Sequence, residues 1–204
     1  MTVPSCMIRS LPQNFVNRLT PNFKTAFERK TILMLGSLKL YKSPLEFIEL
    51  AKRLPQFVFV LVISDTKENI DIFIEKYQIN VYKNLTIYPR QNDVVPFYNQ
   101  ASLVLNLSDK KQVVETFGLT ALEAMSAGLP VIVPTEGGIA EMVVDGENGY
   151  KIDVQNLNQI AECIKTILSD ETLYMELAQN ALAYSKRFSE AKMVNSIEMI
   201  LNRK

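Results

Sequence analysis

Histidine is absent from this chain. Ser-His and Cys-His nucleophilic catalysis are therefore excluded within it, and a zinc centre loses its commonest nitrogen ligand. Cysteine is nearly as scarce: Cys6 and Cys163 make no disulfide framework. Cys163 falls in helical register with Ile160, Ile164 and Ile167, the pattern of a small core residue in a reducing cytoplasm. No charge of one sign dominates either. With 22 Lys+Arg against 22 Asp+Glu there is no general attraction to nucleic acid or anionic lipid, and any anion has to be bound locally. Long apolar runs are missing too. The strongest, FVFVLVI at 57–63, is far short of the roughly 20 residues that cross a bilayer and reads as a buried strand. Pro4 and Pro12 interrupt the apolar core that a secretory leader needs, so no leader is expected. Neither G-x-G-x-x-G, nor the P-loop pattern, nor a D-x-D acid pair occurs. Dinucleotide dehydrogenases, P-loop ATPases and magnesium held by paired aspartates are unsupported.

What remains is rich in apolar residues, 48% of 204, enough for one large domain with a sizeable core. Apolar or β-branched runs at 31–36, 57–63, 85–88, 103–107, 131–133 and 149–152 are mostly continuous rather than alternating, which implies cover on both faces. Helical patterns separate them. Ser43, Pro44 and Glu46 form a capping box with proline at the first helical position, and 65–68 repeats the cap spacing before a helix ending near Tyr77. Asn156 opens a helix through Ser169, a second covers 171–188, and Ser189 starts a last one. Alternating βα units predict a doubly wound, Rossmann-like parallel sheet of about six strands, with ligands outside the carboxyl ends of the strands. Residues 1–30, broken by prolines at 4, 12 and 21, read as an irregular linker or N-terminal arm ahead of a domain at 31–204.

One stretch raises a question. ETFGLTALEAMSAGLPVIVPTEGG, 115–138, is almost wholly apolar or small, yet it keeps Glu115 and Glu123 with seven residues between them. Thr120, Glu123 and Ser126 step by three and form one narrow polar stripe on an otherwise buried helix. That stripe is either a solvent edge or the wall of a cleft, and Glu115 is either a dipole stabiliser or a ligand group. The neighbours favour the cleft. Gly118, and Gly137 with Gly138, start two helices at strand ends, where backbone N–H groups can meet an anion such as a diphosphate. The first βα turn, GSLKLYKSP at 36–44, adds Gly36, Lys39 and Lys42 at the same edge.

GSLKLYKS and ETFGLTALEAMSAGLPVIVPTEGGIAEMVVDGENGYKI resemble the nucleotide-sugar-binding C-terminal half of retaining glycosyltransferases of the GT-B fold, group 1 or family 4, over about 31 to the end of the chain. The resemblance implies one half of a GT-B fold and a set of roles. Lys42 would hold the diphosphate and Glu115 would lie beside the donor sugar. Glu123 would receive the ribose hydroxyls, and Phe117, Gly118 and Leu119 would present backbone amides. Gly36, Ser37, Lys39, Gly137 and Gly138 would complete the diphosphate cradle, with the base near Tyr88 and Arg90. It implies a metal-free transfer, with no cofactor beyond the nucleotide sugar, to a glycan or lipid-linked acceptor. The setting would be the cytoplasm, with membrane contact only through a partner. Two departures stand out: Ser37 occupies the place of the family arginine, and the acceptor-binding half with its catalytic histidine has no counterpart here. The expectation is a chain that binds a nucleotide but transfers sugar poorly without an acceptor domain or subunit. The alternative is a non-catalytic module that binds a sugar nucleotide as a sensor or scaffold.

Overall fold

The computed structural model of the chain describes residues 10–188. Six strands occupy the expected runs: β1 (Thr31–Gly36), β2 (Val58–Ile63), β3 (Leu85–Tyr88), β4 (Leu103–Leu105), β5 (Val131–Val133) and β6 (Gly149–Lys151). All pairings are parallel, in the order β3-β2-β1-β4-β5-β6. Ile32, Phe59, Leu103 and Ile132 have no exposed surface, as continuous apolar strands covered on both faces require.

Nine helices flank the sheet among the described residues: α1 (Gln13–Val16), α2 (Phe23–Arg29), α3 (Pro44–Arg53), α4 (Lys67–Lys76), α5 (Val95–Gln100), α6 (Leu119–Ser126), α7 (Gly138–Glu141), α8 (Leu157–Ser169) and α9 (Glu171–Ser185). The chain leaves β1 through α3 toward β2, and leaves β4 through α6 toward β5, the opposite way along the sheet. Right-handed crossovers then place α3 and α6 on opposite faces. Between the carboxyl ends of β1 and β4 the two connections part, and that crevice is the topological switch point where such sheets bind ligands.

The irregular reading of 1–30 is corrected for part of its length. Helices α1 and α2 lie within it, and its prolines mark helix starts: Pro12 is the residue capping α1, and Pro21 precedes Asn22, whose side chain accepts from the Thr25 N–H at 3.1 Å. Proline is tolerated there because the first N–H groups of a helix have no partner within it. Leu11, Leu19 and Ala26 are buried, and Phe27 packs on Tyr174 of α9 at 5.3 Å between ring centres. A buried serine ties this segment in. Ser102, immediately before β4, accepts from the Thr31 N–H at 2.9 Å and donates to the Ala26 carbonyl, while its own carbonyl accepts from the Tyr174 hydroxyl at 2.8 Å.

Two caps also differ from the sequence reading. Ser43 adopts a left-handed conformation (φ 55°) at the end of a short 3-10 turn, Leu40–Lys42, so its side chain does not cap α3. Thr66 rather than Asp65 caps α4, accepting from the Asn69 N–H at 3.3 Å, and Asp65 supports it through the Asn69 amide at 2.6 Å. Asn156 caps α8 as expected. Cys163 is half-buried beside Ile160 and Ile164 on α8, and burial pushes its thiol up to about 12. The helix expected from Ser189 lies outside the described residues.

Candidate active site

The switch-point crevice is assembled from two loops. The first follows β1: Gly36 ends the strand, and the 3-10 turn brings Lys42 back over it, so that a Cβ built on Gly36 would stand 4.0 Å from that of Lys42. The second follows β4. Asn106 keeps the sheet register by donating its N–H to Ile132 O at 2.9 Å, its side-chain amide donates to Thr120 Oγ1 at 3.3 Å, and its side-chain oxygen accepts from the Ser108 N–H at 3.1 Å. Asp109 N–H donates to Tyr41 O at 2.7 Å and fastens the two loops together.

Their meeting point is polar. Lys42 Nζ makes an ion pair with Glu115 and donates to Ser108 Oγ at 3.2 Å, and the Ser108 hydroxyl lies 3.4 Å from the same Glu115 oxygen. Both charged side chains keep part of their surface, 27% for Lys42 and 20% for Glu115, so the pair is reachable from solvent. An ammonium has three N–H donors. Two are engaged by Glu115 and Ser108, which leaves one for an incoming oxygen.

Lys42 and Glu115 line a cleft of about 240 Å³ with Leu35, Asn106, Thr116, Phe117, Gly118, Leu119 and Thr120. Helix α6 enters this cleft by its N-terminus. Gly118 precedes it at φ 72° and offers no side-chain cap, so the first turn of α6 presents its uncapped end to the cavity. Such an end carries partial positive charge and unsatisfied N–H groups, suited to an anion. Glycine is obligatory at 118, since a Cβ there would fall 2.4 Å from Ile139.

Gly137 and Gly138 are explained differently from the sequence reading. They do not line the cleft; they stand behind it. A Cβ on Gly138 would lie 1.9 Å from Thr116 O, and one on Gly137 2.2 Å from Glu115 O. The N-terminus of α7 is thus pressed against the backbone that carries Glu115 and Phe117, and only glycine permits that approach.

The remaining residues named from sequence are dispersed. Ser37 is half-buried and Lys39 exposed, its ammonium 5.7 Å from the Tyr41 ring, and neither lines the cleft. Tyr88 stands at the end of β3 against Phe97, 5.1 Å between ring centres, and lines a separate cavity of about 200 Å³. Arg90 donates to Ser64 O at 3.0 Å beyond it. Glu123 sits one turn past Thr120 on α6, outside the cleft lining, and accepts a hydrogen bond from Tyr98 of α5 at 2.5 Å. Burial raises its carboxyl above the usual range, against the opposing effect of that hydrogen bond. Asn106, Ser108 and Tyr98 were missed. The first two carried a usable signal: they are polar residues immediately after a buried strand at the switch point. Tyr98 carried none, because its partner is twenty-five positions away and on another helix.

A parallel sheet of this order, with a cleft at its switch point, defines a doubly wound, Rossmann-like α/β domain. The glycosyl transferases group 1 family model matches residues 18–184, and the chain belongs to that family. It is 29% identical over 142 residues to N-acetyl-alpha-D-glucosaminyl L-malate synthase of Bacillus anthracis, covering 69% of this chain and 36% of that enzyme. The C-terminal domain of LpcC, a group 1 glycosyl transferase of Francisella tularensis, superposes with a TM-score of 0.69 at 26% identity over 86% of this chain and 98% of that domain. Anabaena HepE, solved with UDP and glucose, gives 0.74 at 21% identity over 97% of this chain and 54% of HepE. The GT-B type of domain expected from sequence is therefore present. The chain spans about half or less of the length of the curated relatives it matches first. Among the described residues no helix is long and apolar enough to cross a membrane.

Proposed function

We propose that this chain is the donor-binding half of a glycosyltransferase that transfers the sugar of a nucleotide sugar, with retained anomeric configuration and without a metal, to a glycan or lipid-linked acceptor, the nucleoside diphosphate being released. The observation that carries this reading is the convergence of Lys42, Glu115 and the uncapped end of α6 in one cleft at the switch point. HepE, which shares the fold, holds UDP and glucose.

In this reading the diphosphate lies between the third N–H of Lys42 and the first turn of α6. As the bond from sugar to diphosphate breaks, negative charge grows on the departing oxygens. A fixed ammonium and a helix N-terminus aimed there stabilise that charge without reorganising. Glu115, already oriented by Lys42 and Ser108, faces the donor sugar hydroxyls and steadies the positive charge that develops at the anomeric carbon. Glu123 accepts from the ribose. The acceptor is held by a further domain or partner at the cytoplasmic side, and the chain by itself transfers sugar poorly. Ser37, in the place of the family arginine, favours a second reading in which the cleft binds a sugar nucleotide without turning it over, because no bidentate fork replaces the lost guanidinium.

Metal-free thermal unfolding with UDP, GDP and ADP in turn tests donor binding. A ligand at about 100 times its Kd adds about 2.7 kcal/mol, roughly 5 to 11 °C in Tm for a domain of this size. A shift with one nucleotide that falls to half or less in Lys42→Ala supports the site. No shift with any of the three in a folded sample refutes it.

A further inference from the structure

Glu123 is held from behind by a residue with no access to the cleft. Tyr98 is 1% exposed, and its hydroxyl donates to Glu123 Oε2 at 2.5 Å. The other oxygen, Oε1, has no protein partner among the described residues. No buried side-chain oxygen among them is left unpaired, so Oε1 opens to solvent. It does so one turn from Thr120, which lines the cleft.

Resting on the reading of Glu123 as the ribose acceptor, we propose that Tyr98 is a positioning residue of the donor site, fixing the Glu123 carboxylate so that Oε1 is presented to the ribose hydroxyls. The tyrosine is itself immobilised. Phe15 packs edge-on against its ring, 6.0 Å between centres at 80°. Helix α5 is clamped by the segment that follows α1: Asn99 accepts from the Thr20 N–H at 3.0 Å and donates to Arg18 O at 3.1 Å, and Arg18 pairs with Asp93. Rigid support is what a flexible acid with three side-chain torsions needs in order to meet a diol in one geometry.

A purely structural role explains the pair less well. A buried phenol needs an acceptor, but a neutral amide or a carbonyl would serve it. The carboxylate chosen instead is one whose charged form is disfavoured by burial. Such a choice is explained when the second oxygen has hydroxyls to receive.

The test compares affinity for the tightest binder among UDP, GDP and ADP with affinity for its analogue lacking both ribose hydroxyls, in the wild-type chain and in Tyr98→Phe. The wild type is expected to prefer the ribose form. Tyr98→Phe should lower that preference about tenfold, roughly 1.4 kcal/mol, by weakening only the ribose form, and should add nothing in a Glu123→Gln background. A ratio of two affinities on one sample cancels any change in folded fraction, so instability of the variant does not mimic this result. A wild type that discriminates and a Tyr98→Phe chain that discriminates equally would overturn the role of Tyr98 alone. A wild type that binds a nucleotide but ignores the ribose hydroxyls would overturn the reading of Glu123, and the inference with it.

Discussion

Replacing Gly138 by alanine should damage both stability and donor binding, although the residue is not part of the cleft lining. Its new β-carbon would stand 1.9 Å from Thr116 O, an atom of the backbone that cannot rotate away. Ordinary contact needs about 3.4 Å, so either α7 or the strip carrying Glu115 to Gly118 must move by roughly 1.5 Å; overpacking of this kind costs about 1 to 3 kcal/mol. For a domain of this size that lowers Tm by roughly 2 to 12 °C. The strip also carries the ion pair with Lys42 and the entry to α6, so nucleotide affinity should fall with stability. Gly36→Ala is the matched control. Its β-carbon would meet only Met34 Cε at 3.8 Å and Lys42 Cβ at 4.0 Å, both ordinary contacts, and its stability should stay within about 1 kcal/mol of wild type. Urea unfolding together with calorimetric titration of UDP, GDP and ADP reads both effects. A Gly138→Ala chain with wild-type stability and affinity would refute the clamp.

Lys42→Ala should lower nucleotide affinity about 10- to 100-fold, the loss of one charge-assisted hydrogen bond of about 1.5 to 3 kcal/mol, and calorimetry at two salt concentrations should show a weaker salt dependence than wild type. Ser102→Ala leaves the Thr31 N–H without its partner in the core and should cost about 1 to 3 kcal/mol, measured by urea unfolding with donor affinity unchanged. Glu123 carries a carboxyl raised by burial, so between its unfolded and folded values the native state binds the extra proton. Its contribution to stability therefore falls as pH rises through that window. Glu123→Gln should accordingly raise Tm at neutral pH while weakening the ribose-dependent part of nucleotide binding. The same raised carboxyl means that the ribose-dependent part of wild-type binding weakens on acidification at a higher pH than an ordinary glutamate would give, which a titration of affinity against pH for the ribose form and its analogue lacking the hydroxyls would show.

Much of this was readable from local chemistry. Continuous apolar runs separated by helical periods specify a covered parallel sheet, because burial on two faces and a 3.6-residue repeat leave their marks within a dozen residues. Glu115 and Lys42 could be singled out in the same way, as charged residues in segments otherwise built for burial or tight turns. The helices at 13–16 and 23–29 could not, since their apolar residues make sense only against α5 and α9, and prolines that look like breaks are helix starts. Ser43 looked like a cap and became a left-handed turn, because the 3-10 turn before it determined its backbone. Gly137 and Gly138 read from sequence as helix-start glycines, and only the tertiary structure shows that α7 there touches the backbone bearing Glu115.

The amino-acid sequence by itself determined which strand segments would be buried, where the helices between and after those strands would lie, and which ionisable residues were available for chemistry once histidine was missing. Tertiary structure alone decided which of those residues meet. Lys42, Ser108 and Glu115 are separated by up to 73 positions and are joined only because β1 and β4 lie side by side with their connections leaving in opposite directions. The hand of the crossover and the order of the strands are properties of the whole sheet. No local stretch of sequence encodes a distance between two of its loops.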